Sequence, residues 1–201
     1  MQAALRDSSM KLEMIDEAHP MRHQVEQYIA ERYSSAFDAK IDQFMPQFLA
    51  LLQEDEIQSI CGYRAASDTQ LFLEQYLDCA AELAVSDAFS QSVDRSALIE
   101  FGQLASFSKG ISPFHFYLIA RRLVEMEYRW CICTVTDPLY ALMKRLGLNP
   151  VFISQADAQR VNNAHQWGSY YQLSPRIVAG DLRQSLAHLR RYWLTKGIRI
   201  K

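Results

Sequence analysis

The sequence predicts an α/β fold, a mixed β-sheet flanked by helices on both faces, and three observations point to it. Between residues 97 and 154 apolar runs alternate with two helical segments in a β-α-β-α-β order, which requires crossovers between parallel strands. Both helices open alike, with Ser112-Pro113 and Asp137-Pro138 pairing a capping side chain with a proline at the first helical position. Upstream, the apolar runs Phe44 to Leu52 and Ile57 to Arg64 are parted only by the acidic turn Gln53-Glu54-Asp55-Glu56, the mark of an antiparallel hairpin.

The elements follow in order. Residues 10–16 (MKLEMID) alternate and predict a first strand, after which His19-Pro20 opens a helical pattern carried by Val25, Tyr28, Ile29 and Arg32. The hairpin comes next, with Gly62 late in its second strand. Residues 69–77 predict a short helix, and 78–94 an irregular connection with helical fragments. From Ala97 to Phe107 the run ALIEFGQLASF predicts a buried central strand, in which Gly102 marks either a bulge or a close approach to the backbone. Phe114 to Glu127 is apolar enough to pack on the sheet as a helix, and Arg129 to Val135 returns as a strand. The helix after Asp137 stops at Gly147, and Val151 to Ser154 is a further short strand. Leu182, Leu186, Leu189 and Trp193 mark one face of a C-terminal helix.

With 201 residues, 49% hydrophobic and 22% charged, and no linker or repeat to divide it, the chain is expected to form a single domain over residues 1–201. Residues 1–9 are expected to be a flexible N-terminus and 181–201 a basic C-terminal helix and tail. Twenty-one Lys and Arg against 23 Asp and Glu give a net charge of -2, which excludes nucleic acid as the partner of the whole surface. The first twenty residues lack the apolar run of about 7–15 residues that a signal peptide needs. No stretch approaches the ~20 apolar residues of a spanning helix. The expected location is the cytoplasm, with peripheral membrane contact left open. Cys61, Cys79, Cys131 and Cys133 form no CxxC pair and are expected as reduced, mostly buried thiols, with no metal site.

Among candidate functional residues Glu100 is the most informative, because a carboxylate inside an apolar strand must face a pocket or a partner. It is either a general base or amine anchor whose pKa burial has raised, or the structural ion-pair partner of Arg22 or Arg64. Arg64, following Gly62, offers its planar fork to a carboxylate or phosphate, or makes a surface ion pair. Asp42 by itself reads as a turn or cap residue. His19 and His23 lack the glutamate of H-E-x-x-H, so opening a helix is the better account of them. His115, near a helix N-terminus, faces either a phosphate or the sheet. Trp167, Tyr170 and Tyr171, taken as part of a strand, either wall an acyl or aromatic pocket or join the core. From Arg176 to Lys201 seven basic residues accompany one acid, Asp181. That segment attracts an acidic protein or anionic headgroups, or is simply a solvated helix face.

Five stretches carry a resemblance: HPMRHQVEQYIAERY (19–33), CGYRAA (61–66), LFLEQYLD (71–78), IEFGQLAS (99–106) and WGSYYQLSPRIVAG (167–180). Their order and spacing, and above all the E-x-G-x-L-A core at Glu100, Gly102, Leu104 and Ala105, resemble the bacterial thermostable hemolysin family. The resemblance implies a fold like that of the GNAT N-acyltransferases. The chain is also similar to the acyl-homoserine-lactone synthases through Arg22, Asp42, Arg64 and Glu100. That similarity implies transfer of a fatty acyl group from a thioester to a small amine acceptor, with Glu100 as the base and Arg22 and Arg64 orienting the acceptor's carboxylate. Asp42, Gly102, Leu104, Trp167, Tyr170 and Tyr171 complete the substrate site it implies.

Two departures from the GNAT pattern shape the expectations. The phosphate-binding loop is replaced by Phe107-Ser108-Lys109-Gly110-Ile111-Ser112, which has one glycine and offers a pyrophosphate few N–H groups. An acyl carrier protein is therefore expected as donor in preference to acyl-coenzyme A, met by Lys109, Ser112, Arg183, Arg190 and Arg191. The usual acid-donating tyrosine is replaced by Met143, and Tyr140, one turn earlier, is the expected substitute. The alternative to an enzyme is a non-catalytic, membrane-active or lipid-binding protein, as the family's name implies.

Overall fold

The computed structural model describes residues 10–106 and 112–197. Four strands, β1 (Met10–Ile15), β2 (Gln47–Gln53), β3 (Glu56–Ala65) and β4 (Leu98–Ser106), pair antiparallel in that order. Next, β4 pairs in parallel with β5 (Trp130–Val135), whereas β7 (Arg176–Asp181) lies between β5 and β6 (Val151–Gln155), antiparallel to both. Helix α1 (Arg22–Phe37) covers one face over β1–β4, and α2 (Ala81–Phe89) covers the same face farther along. Helices α3 (Ser112–Glu125), α4 (Asp137–Arg145) and α5 (Leu182–Thr195) pack against the other face.

This double coverage explains the unbroken apolar run of β2, since Phe48, Ala50 and Leu52 meet Val25 and Ile29 of α1 while Leu49 and Leu51 meet α3. The hairpin turn is the two residues Glu54 and Asp55, both at positive φ (50° and 67°), which matches the twist of the flanking strands. On α5 the stripe Leu182, Leu186, Leu189 and Trp193 is buried as its spacing requires. His115 is fully buried on α3, its Nδ1 2.8 Å from Ser59 Oγ and its Nε2 3.0 Å from the Leu49 carbonyl oxygen. It therefore packs against the sheet, away from any phosphate, and burial pushes its pKa down to about 4.

Several expectations are corrected. The segment 78–94 holds a regular helix, α2, and the helix expected at 69–77 is a 3₁₀ turn, Phe72–Tyr76. The cap of α4 is Thr136, so Asp137 is already inside the helix. The bulge in β4 falls just after Gly102. Between the pairs Ile60–Ala105 and Gly62–Gly102, β4 carries one residue more than β3, and Gln103 takes up the excess at φ 51°. Trp167, Tyr170 and Tyr171 lie on two 3₁₀ turns, Ala164–Trp167 and Tyr170–Leu173, and the strand the sequence reading omitted, β7, follows them. Gly168 explains why these turns sit where they do. At φ 53° it approaches the end of α1 so closely that a Cβ there would collide with the Phe37 and Asp38 carbonyls. Ser169 N–H donates to the Phe37 carbonyl at 2.7 Å.

What positions the site is the parting of β4 and β5. They pair only from Leu98–Trp130 to Phe101–Cys133, and β4 then runs on through its bulge without its neighbour. The sheet opens there.

Candidate active site

A cavity of about 430 Å³ occupies that opening and draws its lining from both faces of the sheet. On the α1 face lie Tyr33, Phe37, Arg64, Glu100, Phe72 and Tyr76, together with the strap 40–45 and the turn residues Trp167, Tyr170 and Tyr171. On the other face lie Phe116 and Ile119 of α3, Leu139 and Met143 of α4, and Leu182 and Leu189 of α5, with Leu104 from beyond the bulge. One half therefore carries the carboxylates, the Arg64 guanidinium and a ring cluster, and the other is mostly hydrocarbon, interrupted by the thiols of Cys61, Cys131 and Cys133 and by Ser185. A volume of this size, mostly apolar with a few convergent polar groups, is what small-molecule sites have.

Glu100 is 3% exposed, and its carboxylate caps the 3₁₀ turn by accepting from Phe72 N–H at 2.9 Å and Leu73 N–H at 3.0 Å. Burial pushes its pKa up to about 7, against the pull of the two N–H groups and of the Arg64 charge. A carboxyl at that value takes and releases a proton near neutral pH. The turn itself is braced by Glu74, which accepts from Leu71 N–H and Ala81 N–H, both at 2.8 Å, and pairs with Arg95 at 2.8 Å.

Arg64 stands directly across β3/β4 from Glu100. Its Nη1 donates to the Gln70 carbonyl at a long 3.4 Å, and its buried Nε has no hydrogen-bond partner among the described residues. Such a guanidinium is poised for an anionic group. Asp42 also lines the cavity and accepts from Gln166 Nε2 at 3.2 Å. The ring cluster is continuous, with Trp167 5.9 Å from Phe72 and 5.5 Å from Tyr170 between centroids, and the Tyr76 and Tyr171 hydroxyls 2.6 Å apart.

Of the expected site residues, the structure thus brings together Glu100, Arg64, Asp42, Gly102, Leu104, Trp167, Tyr170 and Tyr171. Two others lie elsewhere. Arg22 is absent from the cavity lining because its guanidinium is engaged by Glu26 at 2.6 Å, by the Pro46 carbonyl and by the Phe48 ring. Nor does an ion pair reach Glu100 among the described residues, so Arg22 is not its partner and Arg64 acts on it only through space. Tyr140 is likewise outside the lining, its ring 5.0 Å from the guanidinium of Arg176, which also pairs with Asp137. Tyr140, the expected proton donor, is therefore not part of the cavity lining, whereas Met143, which stands in place of the usual tyrosine and cannot donate a proton, is.

Lys109 lies outside the described residues, and Ser112 begins α3. Arg183, Arg190 and Arg191 are exposed on the outer side of α5, whereas Leu182, Ser185 and Leu189 of the same helix reach the cavity. Cys61, Cys131 and Cys133 all line the cavity as free thiols, and burial pushes Cys61 and Cys131 up to about 12, so they stay protonated. Sequence reasoning missed Met45, Gln103, Phe72 and Tyr76, which also form the walls. Phe72, Tyr76 and Gln103 do lie in stretches that carry the family resemblance, whereas Met45 lies outside all of them.

The thermostable hemolysin family model matches residues 15–186. No curated protein matches the chain in sequence. Among solved structures, a CoA-dependent acyl-homoserine lactone synthase, BjaI, with SAM and isopentyl-CoA superposes with a TM-score of 0.63 at 9% identity, covering 94% of this chain and 90% of that one. FeeM, an N-acyl amino acid synthase from uncultured soil microbes, gives 0.61 at 11% identity over 89% and 94%. The acyl-homoserine lactone synthase LasI gives 0.59 at 11% identity over 97% and 99%. At these identities the likeness establishes a shared fold.

Proposed function

The chain belongs to the thermostable hemolysin family, and from that premise we propose that it is an acyltransferase moving a fatty acyl group from a thioester to a small amine that carries a carboxylate. The observation that carries the reading is the division of one cavity by the open sheet: Glu100 and Arg64 face each other in one half, and the other half is mostly apolar and uncharged. The acyl chain lies in the apolar half, with its thioester carbonyl at the parting of β4 and β5. There the edge of β4 beyond Phe101 is not paired with β5, and its backbone N–H groups are assigned to the developing oxyanion. The acceptor lies in the polar half, its carboxylate on Arg64 and its amine at Glu100. The neutral amine nitrogen attacks the carbonyl, Glu100 takes the proton that nitrogen sheds, the C–S bond breaks, and the departing thiolate takes a proton back from Glu100 or from water. Structures described as acyl-homoserine lactone and N-acyl amino acid synthases share the fold, which supports an acyl transfer to an amine.

For the donor we favour an acyl carrier protein over coenzyme A. Support comes from the row of exposed arginines on α5 and the single glycine in the loop before α3. No helix among the described residues is long and apolar enough to cross a membrane, and the reaction is assigned to the cytoplasm, where such donors are made.

The test is to incubate purified protein with acyl thioesters and carboxylated amines and to seek the amide by mass spectrometry. Amide is expected, and Glu100→Gln is expected to lower its rate at least about 100-fold. The variant keeps one acceptor for the 3₁₀ turn and loses the other, a cost of about 1 kcal/mol, so it stays folded. No amide from any donor, or an undiminished rate in Glu100→Gln, rejects the assignment. The family's description favours a second reading, a membrane-active protein without catalysis. Dye leakage from anionic vesicles caused by the Glu100→Gln protein with no donor present selects it. Leakage that requires both donor and Glu100 assigns lysis to an acylated product.

A further inference from the structure

We propose that Met45 sets the size of the acceptor that the cavity admits, an inference resting on the acyltransferase reading. Gly62 and Gly102 are direct cross-strand partners, next along the strands from the Arg64–Glu100 pair and two residues from each. Residues two apart on a strand share a face, so the glycines lie on the same face as the guanidinium and the carboxylate. Two facing residues without side chains leave a notch in the sheet, one step from the groups that would hold the acceptor.

Met45 fills that notch. A Cβ on Gly62 would stand 2.7 Å from both Cβ and Cγ of Met45, and one on Gly102 would collide with Met45 Cε. The methionine is 7% exposed, yet it forms part of the cavity wall. Its position is latched from the opposite strand. Met45 N–H donates to Gln103 Oε1 at 2.9 Å, and Gln103 Nε2 donates to the Gln43 carbonyl at 2.7 Å. Gln103 is the bulge residue at φ 51°, so the irregularity in β4 aims an amide that pins the strap and lays the thioether over the glycines. An acceptor spanning Arg64 and Glu100 meets this thioether with whatever substituent it directs along the strands. Shortening the side chain opens a floor of glycine backbone and the Phe48 ring.

The experiment compares the wild type with Met45→Ala against a series of linear α-amino acids of increasing side-chain length, using one acyl thioester. Met45→Ala is expected to raise the kcat/KM ratio of long to short acceptors at least about tenfold, the size of effect that one or two methylenes exert in a fitted pocket. The preference for donor chain length should not move. Adding Gly102→Ala to Met45→Ala returns a methyl group to the notch and should bring the ratio back toward the wild type. Acceptor binding is followed in parallel by calorimetry without donor. A protein that binds the series but transfers nothing then still reports on Met45, and the failure is charged to the acyltransferase reading alone. Met45→Val replaces Met45→Ala if the latter is unfolded, with a smaller shift in the same direction. An unchanged acceptor profile in rate and binding, or a shift in donor preference instead, overturns the proposal.

Discussion

Burial and hydrogen bonding pull the Glu100 carboxyl in opposite directions, and burial wins. Two backbone N–H bonds and the nearby Arg64 charge favour the carboxylate, yet removal from water leaves the group titrating at about 7. Arg64 therefore has two tasks in the proposed reaction, holding the acceptor's carboxylate and keeping Glu100 from rising further. Arg64→Ala is expected to raise KM for carboxylated acceptors about 10- to 100-fold and to shift the acidic limb of the kcat/KM profile to higher pH. KM for the donor should stay unchanged, and Arg64→Lys should fail to restore acceptor binding because an ammonium does not replace the bidentate fork. An unaltered acceptor KM would remove Arg64 from the site. Glu100 and Arg64 were legible in the sequence because a charge in an apolar strand has to be explained. Arg22 and Tyr140 were misread for a complementary reason: residue type shows what a side chain can bind, while Glu26 and Arg176 claim these two locally. Met45 carries no sequence signal of its own, since nothing in the chain's order tells that Gly62 and Gly102 will face each other beneath it.

Among the elements, those whose signals are local were the ones the sequence disclosed. The acidic hairpin turn, the proline-led starts of α3 and α4 and the apolar stripe of α5 are all written within a few residues of where they act. Strand β7 was not, because its six residues follow an aromatic segment and acquire their meaning only by entering between β5 and β6, partners formed earlier in the chain. The parting of β4 and β5 was equally hidden, being a failure of pairing over distance. Helix α5 serves two sides at once, with Leu182 and Leu189 at the cavity and Arg183, Arg190 and Arg191 outward. If the arginines meet an acidic carrier, reversing all three to Glu should weaken carrier binding at least about tenfold at low salt and leave the helix and the acyl half of the cavity intact. The loss should shrink in 1 M salt, where the screening length falls to about 3 Å. Tight binding of acyl-coenzyme A, insensitive to both salt and charge reversal, would reverse the donor preference and leave the acyl transfer standing.

At the scale of the whole molecule, the buried Glu100 and His115 are shifted in opposite directions within the range pH 4 to 7, and both contribute to how stability answers to pH there. Glu100 is raised from 4.5 to about 7, so the folded state binds the extra proton between those values, and its contribution is full below 4.5 and lost as pH rises through 7. His115 is lowered from 6.5 to about 4, so the unfolded state binds the extra proton, and its contribution is full above 6.5 and lost as pH falls through 4. From pH 4.5 to 6.5 the two slopes, each about 1.4 kcal/mol per pH unit for one proton, oppose each other and nearly cancel. Removing one group exposes the other. In Glu100→Gln, stability should gain about 2 kcal/mol relative to the wild type on going from pH 4.5 to 6.5, because the histidine slope is no longer offset. In His115→Gln the relative change should have the opposite sign, whatever the variant's absolute stability. Urea unfolding at the two pH values measures both, and the contributions of all other groups cancel in the differences. Curves for the wild type and the variants that stay parallel across this window would show that neither group is shifted by burial, and would withdraw Glu100 as a base tuned to neutral pH.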